Sequence, residues 1–188
     1  MTELVFLLEG QSEAALLDGL MPRLLPGVPC RKIPFKGKQD MEKQMVRRIR
    51  GYQNPEAKFI LLRDQDSGDC GSLKRRLLEK CREAGKEILV RIACHEIESW
   101  YLADLTAVEK GLGVPNLARH QNRMKYREPD TLGSPERELR RLTGNLYQEV
   151  GGSRAIGPLL DLDNKRSRSF AVFVEGIKSL MGVRPPRR

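Results

Sequence analysis

Residues 57–94 read AKFILLRDQDSGDCGSLKRRLLEKCREAGKEILVRIAC, and this stretch decides the fold class. Residues 57–62 (AKFILL) are a short apolar run of the kind found in strands buried on both faces. The next residues, Arg63-Asp64-Gln65-Asp66-Ser67-Gly68-Asp69, are turn formers. Residues 71–84 then set Leu73, Leu77, Leu78 and Cys81 on one helical face, and Gly85 stops the helix. Residues 87–94 (EILVRIAC) return to strand. A strand, a helix and a second strand in this order make a parallel crossover unit.

The same alternation runs upstream. Residues 3–8 (ELVFLL) read as a strand. Residues 12–25 carry Ala15, Leu16, Leu20 and Leu24 at helical spacing, and Pro26 and Gly27 end the run. Residues 28–35 are a weaker strand, interrupted by Pro29 and Pro34. Residues 40–52 form a helix with Met41, Met45, Ile49 and Tyr52 on one stripe and basic residues on the other. Residues 97–105 read as one further helix. The sum predicts an α/β fold: a mostly parallel central sheet with helices on both faces. From 112 to 135 the chain turns polar, with Gly113, Pro115, Pro129, Gly133 and Pro135, and reads as a loop-rich insertion. Helices follow at 135–143 and 167–180. The expected organisation is an α/β core over 1–111 and a loop-rich, helical extension over 112–188 packed on it. A basic tail with Arg184, Arg187 and Arg188 is expected to fray.

The chain has 188 residues, 39% of them hydrophobic, with 17 glycines, a composition that excludes a disordered chain. A chain of this size buries roughly 70% of its unfolded surface, so it needs no disulfide or structural metal to fold. No apolar run approaches the ~18 residues of a membrane span. No basic segment precedes an apolar one at the start, so no signal peptide is expected. Cys30, Cys70, Cys81 and Cys94 lack CxxC spacing and are expected to be reduced thiols in the cytoplasm. The net charge is +9, which suits a polyanionic partner. Eight basic residues fall between Arg31 and Arg50, against Asp40 and Glu42.

Ligands of parallel sheets bind beyond the carboxyl ends of the strands. Three predicted strands end in acids. The first runs into Glu9, with Glu13 in the next helix. The second runs into Asp64, Asp66 and Asp69, and the last into Glu96 and Glu98. Acids gathered on one sheet edge repel one another unless a cation neutralises them. A hard dication such as Mg²⁺ takes such oxygen ligands. Each piece also has a plain structural reading. Asp69 can cap a helix, and Glu13 can sit in a first turn facing the helix dipole. Glu96 and Glu98 lie two apart, so on a helix only one faces the site, and Glu98 is favoured.

The strand-Glu9-Gly10 start and the Asp64-x-Asp66 pair resemble the Toprim domain, the metal-binding fold of topoisomerases, bacterial primases and overcoming-lysogenization-defect nucleases. FKGKQDM (35–41), LLRDQDSGDC (61–70), HEIESWYLADL (95–105) and NKRSRSFAVF (164–173) resemble more closely an uncharacterised bacterial Toprim-like branch. That branch is described as a domain of unknown function, with relatives linked to AAA-type ATPases and phage defence. The resemblance implies Glu9, Asp64 and Asp66 as catalytic and Mg²⁺-binding carboxylates, with Glu13 and Glu98 completing the site. Mn²⁺ would substitute for Mg²⁺.

Lys36 and Lys38 flank a helix start and could hold phosphate, as could Arg63, Lys165, Arg166 and Arg168. Ser167 or Ser169 doubles as a helix cap. No P-loop, GxGxxG or GxSxG pattern occurs. Trp100 and Tyr101 lie on an apolar stretch and read as core. The functional expectation is a Mg²⁺-dependent nuclease acting on DNA or RNA, with a possible AAA-type ATPase partner and no membrane. The alternative is a non-catalytic module binding nucleic acid or a partner ATPase. In that case the acids would be splayed apart or salt-bridged to arginines such as Arg63 or Arg91.

Overall fold

A computed structural model describes residues 1–183; the arginines at 184, 187 and 188 lie outside them. The elements run β1 (Glu3–Leu8), α1 (Gln11–Leu24), β2 (Cys30–Pro34), α2 (Lys38–Arg50), β3 (Ala57–Asp64), α3 (Cys70–Arg82) and β4 (Ile88–Ala93). Then come α4 (Glu98–Leu102), α5 (Leu105–Leu112), α6 (Pro135–Leu142), α7 (Glu149–Ile156) and α8 (Arg168–Leu180). The sheet order is β2-β1-β3-β4, and every neighbouring pair is parallel. The expected α/β class holds.

The central strands β1 and β3 are continuously apolar because both faces of the sheet are covered. Alternate residues divide between the faces. Leu4, Phe6, Leu8, Ile60 and Leu62 join one core with α1, α4, α5, α7 and α8. Val5, Leu7, Phe59 and Leu61 join a second core with Met41, Met45 and Ile49 of α2 and Leu73 and Leu77 of α3. The chain leaves β1 toward β2 on one side and returns to β3 on the other, so strand order reverses between β1 and β3. That switch point is where the carboxyl ends of a parallel sheet leave a crevice. The register pairing Leu8 with Leu62 sets Glu9 beside Arg63.

The C-terminal helices share the first core. Phe170, Phe173, Val174 and Ile177 of α8 and Ile156 of α7 belong to it, with α7 packed on α1 and α8 packed on β4. Contact between α1 and the end of α7 is very close. A Cβ built on Gly157 would lie 2.6 Å from the Leu16 carbonyl oxygen, and one on Gly19 would lie 2.4 Å from Pro158.

Two local expectations need correction. The helix foreseen over 97–105 is broken into α4 and α5, because the Asp104 carboxylate accepts the Ala107 amide at 3.1 Å and starts a new helix. α7 was not foreseen, since EVGGSRAI has two glycines and no apolar period. The polar stretch 112–135 forms three short 3₁₀ turns. Tyr126 anchors them, buried and donating to Glu138 at 2.7 Å. Among the described residues no helix is long and apolar enough to cross a membrane.

Candidate functional site

Main-chain bonds fix the loops that follow β1, β3 and β4. After β1, the Glu9 carbonyl accepts the Gly37 amide at 2.9 Å. Gly37 has φ +91 and ψ 177, a conformation open to glycine alone, and it leads straight into α2. After β3, the Gln65 amide bonds to the Ala93 carbonyl at 2.9 Å, and Asp66 to that of His95 at 3.0 Å. His95 Nδ1 lies 2.6 Å from the Asp66 carbonyl oxygen, which can only accept, so that nitrogen carries the proton.

These loops gather the acids. Glu13 is buried at 3% exposure, and its Oε2 accepts the Gly10 amide at 3.0 Å. Asp64 Oδ1 accepts the Ile97 amide at 3.1 Å, just before α4. Glu98 is buried at 4% exposure and accepts the Tyr147 hydroxyl at 2.6 Å. Glu96 accepts the Glu136 amide at the start of α6, at 2.7 Å. Arg63 lies beneath the group, itself buried. Its Nη1 donates to Glu9 Oε2 at 2.6 Å and to Asp66 Oδ2 at 3.3 Å. Lys38 Nζ reaches Asp66 Oδ2 at 3.0 Å.

The electrostatics follow from this crowding. Asp64 retains some exposed surface but is packed around by protein and other acids. Burial, then the charges of Glu13, Glu98, Glu9 and Glu96, hold its carboxyl well above the usual range. Burial raises Glu98 to about 7 against the Tyr147 hydrogen bond. Burial raises Glu13, helped by the Glu9 charge, and raises Glu96 as well. Glu9 is also raised by burial, with Arg63 pulling the other way. At Asp66 partial burial is outweighed by the hydrogen bonds from Lys38 and Arg63, and its carboxyl sits below the usual range. The site therefore holds more carboxylates than its two cations balance.

Among the described residues, no three acidic, histidine or cysteine side chains stand in an arrangement that could hold a metal ion. Glu9 and Asp66 share the Arg63 guanidinium instead. Arg91, the other arginine considered as a partner for the acids, bonds to the Val172 and Val90 carbonyls. Beside the acids, Lys38, Arg63, Asp66, Asp69 and Arg76 line a groove of about 470 Å³. A larger hollow of about 800 Å³ opens at the opposite end of the sheet. Its Lys58 and Lys86 bond to the Leu180 and Tyr52 carbonyls, and none of the clustered acids lines it.

The other predicted phosphate-binding residues lie as follows. Lys36 is exposed, beside Lys38. Lys165 pairs with Glu175 at 3.0 Å and Arg166 bonds Asn122 at 3.3 Å. Arg168 is exposed at the start of α8. None of these four is hydrogen-bonded to the acidic group among the described residues. Asp69 caps α3 through the Ser72 amide, and Ser167 caps α8 through that of Phe170. Trp100 is core, donating to Ser169 Oγ at 2.8 Å between Phe170 and Phe173. Sequence reasoning missed Tyr147. It lies between α6 and α7, outside any periodic segment, and only tertiary packing brings it to Glu98.

Fold and site together define a parallel α/β domain with an acidic cluster at its strand-order switch point. A family model described as Domain of unknown function (DUF4276) matches residues 8–178, and the chain belongs to that family. No curated protein and no solved structure matches the chain.

Proposed function

We propose that the protein is a cytoplasmic, metal-dependent nuclease of Toprim-like type, hydrolysing phosphodiesters of DNA or RNA with Mg²⁺. One observation carries this reading: Asp64 sits at the switch point among four other carboxylates, and burial with their charges holds its pKa far up. An all-oxygen set with surplus negative charge suits a hard dication in its chemistry. Asp64, Glu9 and Asp66 would hold the ion, with Glu13 and Glu98 behind them. Bound there, Mg²⁺ would polarise the phosphodiester and offset charge on the attacking and leaving oxygens. Glu9 and Asp66 would exchange contact with Arg63 for contact with the ion. Lys38 and Lys36 would neutralise flanking phosphates, and the net charge of +9 favours a polyanion. A partner ATPase and a role in phage defence are part of this proposal.

Replacing Asp64 by Asn tests it. The parent should cleave DNA or RNA with Mg²⁺ or Mn²⁺, and Asp64→Asn should lose cleavage by a hundredfold or more while keeping its far-ultraviolet circular dichroism. Equal cleavage by both proteins would remove Asp64 from the mechanism.

A second reading has one specific observation in its favour. Arg63 already neutralises Glu9 and Asp66, which is the arrangement expected of a non-catalytic module binding nucleic acid or a partner. Such a module would bind nucleic acid with or without a dication and cleave with neither.

A further inference from the structure

Two thiols meet at the rim of the acidic cluster. Cys70 is the first residue of α3, and Cys94 directly follows β4. Their sulfurs lie 3.9 Å apart, and both residues are half-buried. Their backbones are held separately: Asp69 caps α3, and the Cys94 amide lies 3.4 Å from Ser169 Oγ. A disulfide needs sulfurs about 2.0 Å apart, so from 3.9 Å the two sulfurs must approach further to complete it. Cys30 is turned to the Val28 carbonyl, and Cys81 is buried in the second core.

We propose that Cys70 and Cys94 are a modification site, forming a reversible disulfide on exposure to a hydroperoxide. This inference stands whether or not the acidic cluster cuts nucleic acid. Burial, then the neighbouring Cys70, push the Cys94 thiol up to about 12, so in the first step the Cys70 thiolate sulfur attacks a peroxide oxygen. The O–O bond breaks, water leaves after protonation, and a sulfenic acid remains. In the second step the other sulfur attacks the sulfenic sulfur. The S–S bond forms, the S–O bond breaks, and the departing hydroxide takes the thiol proton to become a second water. Two electrons pass from the sulfurs to hydrogen peroxide, and a dithiol reductant reverses the change.

The cross-link joins the segment carrying Asp64 and Asp66 to the one carrying His95 and Glu96. That junction already carries the Gln65–Ala93 and Asp66–His95 main-chain hydrogen bonds, the His95 ring bond to the Asp66 carbonyl and the Ile97 amide bond to Asp64, and the cross-link adds a covalent tie.

The test treats the folded full chain with a small molar excess of hydrogen peroxide, blocks free thiols by alkylation, and maps non-reduced peptides by mass spectrometry. The expected result is a Cys70–Cys94 linked peptide lighter by two hydrogens. Free thiols should fall from four to two, dithiothreitol should restore them, and Cys70→Ser and Cys94→Ser should each lack the link. Amide exchange at Gln65 and Asp66 should slow in the oxidised protein. The proposal fails if Cys70 and Cys94 stay free, if either passes to sulfinic acid without the linked peptide, or if links to Cys30 or Cys81 form equally.

Discussion

Glu98 shows how burial turns an ordinary carboxylate into a pH-dependent one. Burial raises it to about 7 in the fold, against about 4.3 in an unfolded chain. The folded state therefore holds the proton more tightly. Its stabilising contribution is complete below about pH 4.3 and is lost as pH rises through about 7, a change on the order of 4 kcal/mol. Asp64 is raised too and acts in the same direction. Glu138, held down to about 2 by Arg141, Lys125 and Tyr126 despite partial burial, acts oppositely and at lower pH. In metal-free buffer the unfolding free energy measured in urea should fall between about pH 5 and 7, and fall less in Glu98→Gln. Equal slopes for parent and variant would show that Glu98 does not titrate in this range. The sequence supplied the acids, because strand ends are readable from apolar runs. It offered Arg63 as a partner for the acids in one of its two readings, but it could not supply Tyr147, which meets Glu98 across 49 positions of chain.

Among the elements, β1, β3 and α3 were legible because burial on both faces, or on one helical stripe, leaves a periodic mark. α7 left none. Close approach is served by Gly152 inside it and by Gly157 just past its end, whereas Gly151 has nothing within 4 Å of an added Cβ. Gly152 lies against the Tyr147 ring, where a Cβ would come within 2.4 Å, and Gly157 against the Leu16 carbonyl. Gly157→Ala must push α1 and the end of α7 apart and should destabilise by about 1–3 kcal/mol, seen as a lower Tm. Gly133→Ala, with nothing within 4 Å of the added Cβ, should stay within about 0.5 kcal/mol of the parent. Equal Tm values for the two variants would contradict this account of the α1–α7 contact.

Across the whole molecule, a basic protein concentrates buried acids at one point. The chain carries 34 Lys and Arg, yet Asp64 is surrounded by acids, and the cations in the group, Arg63 and Lys38, reach Glu9 and Asp66 instead. Such an arrangement opposes folding unless protons or a cation relieve it. The central claim is that a dication does so. Calorimetric titration of Mn²⁺ into the parent and into Asp64→Asn, at moderate salt and with a short oligonucleotide present to supply phosphate oxygens, tests it most directly. The account predicts saturable binding by the parent and its loss in Asp64→Asn. Absence of binding by the parent, or equal binding by both, would contradict it.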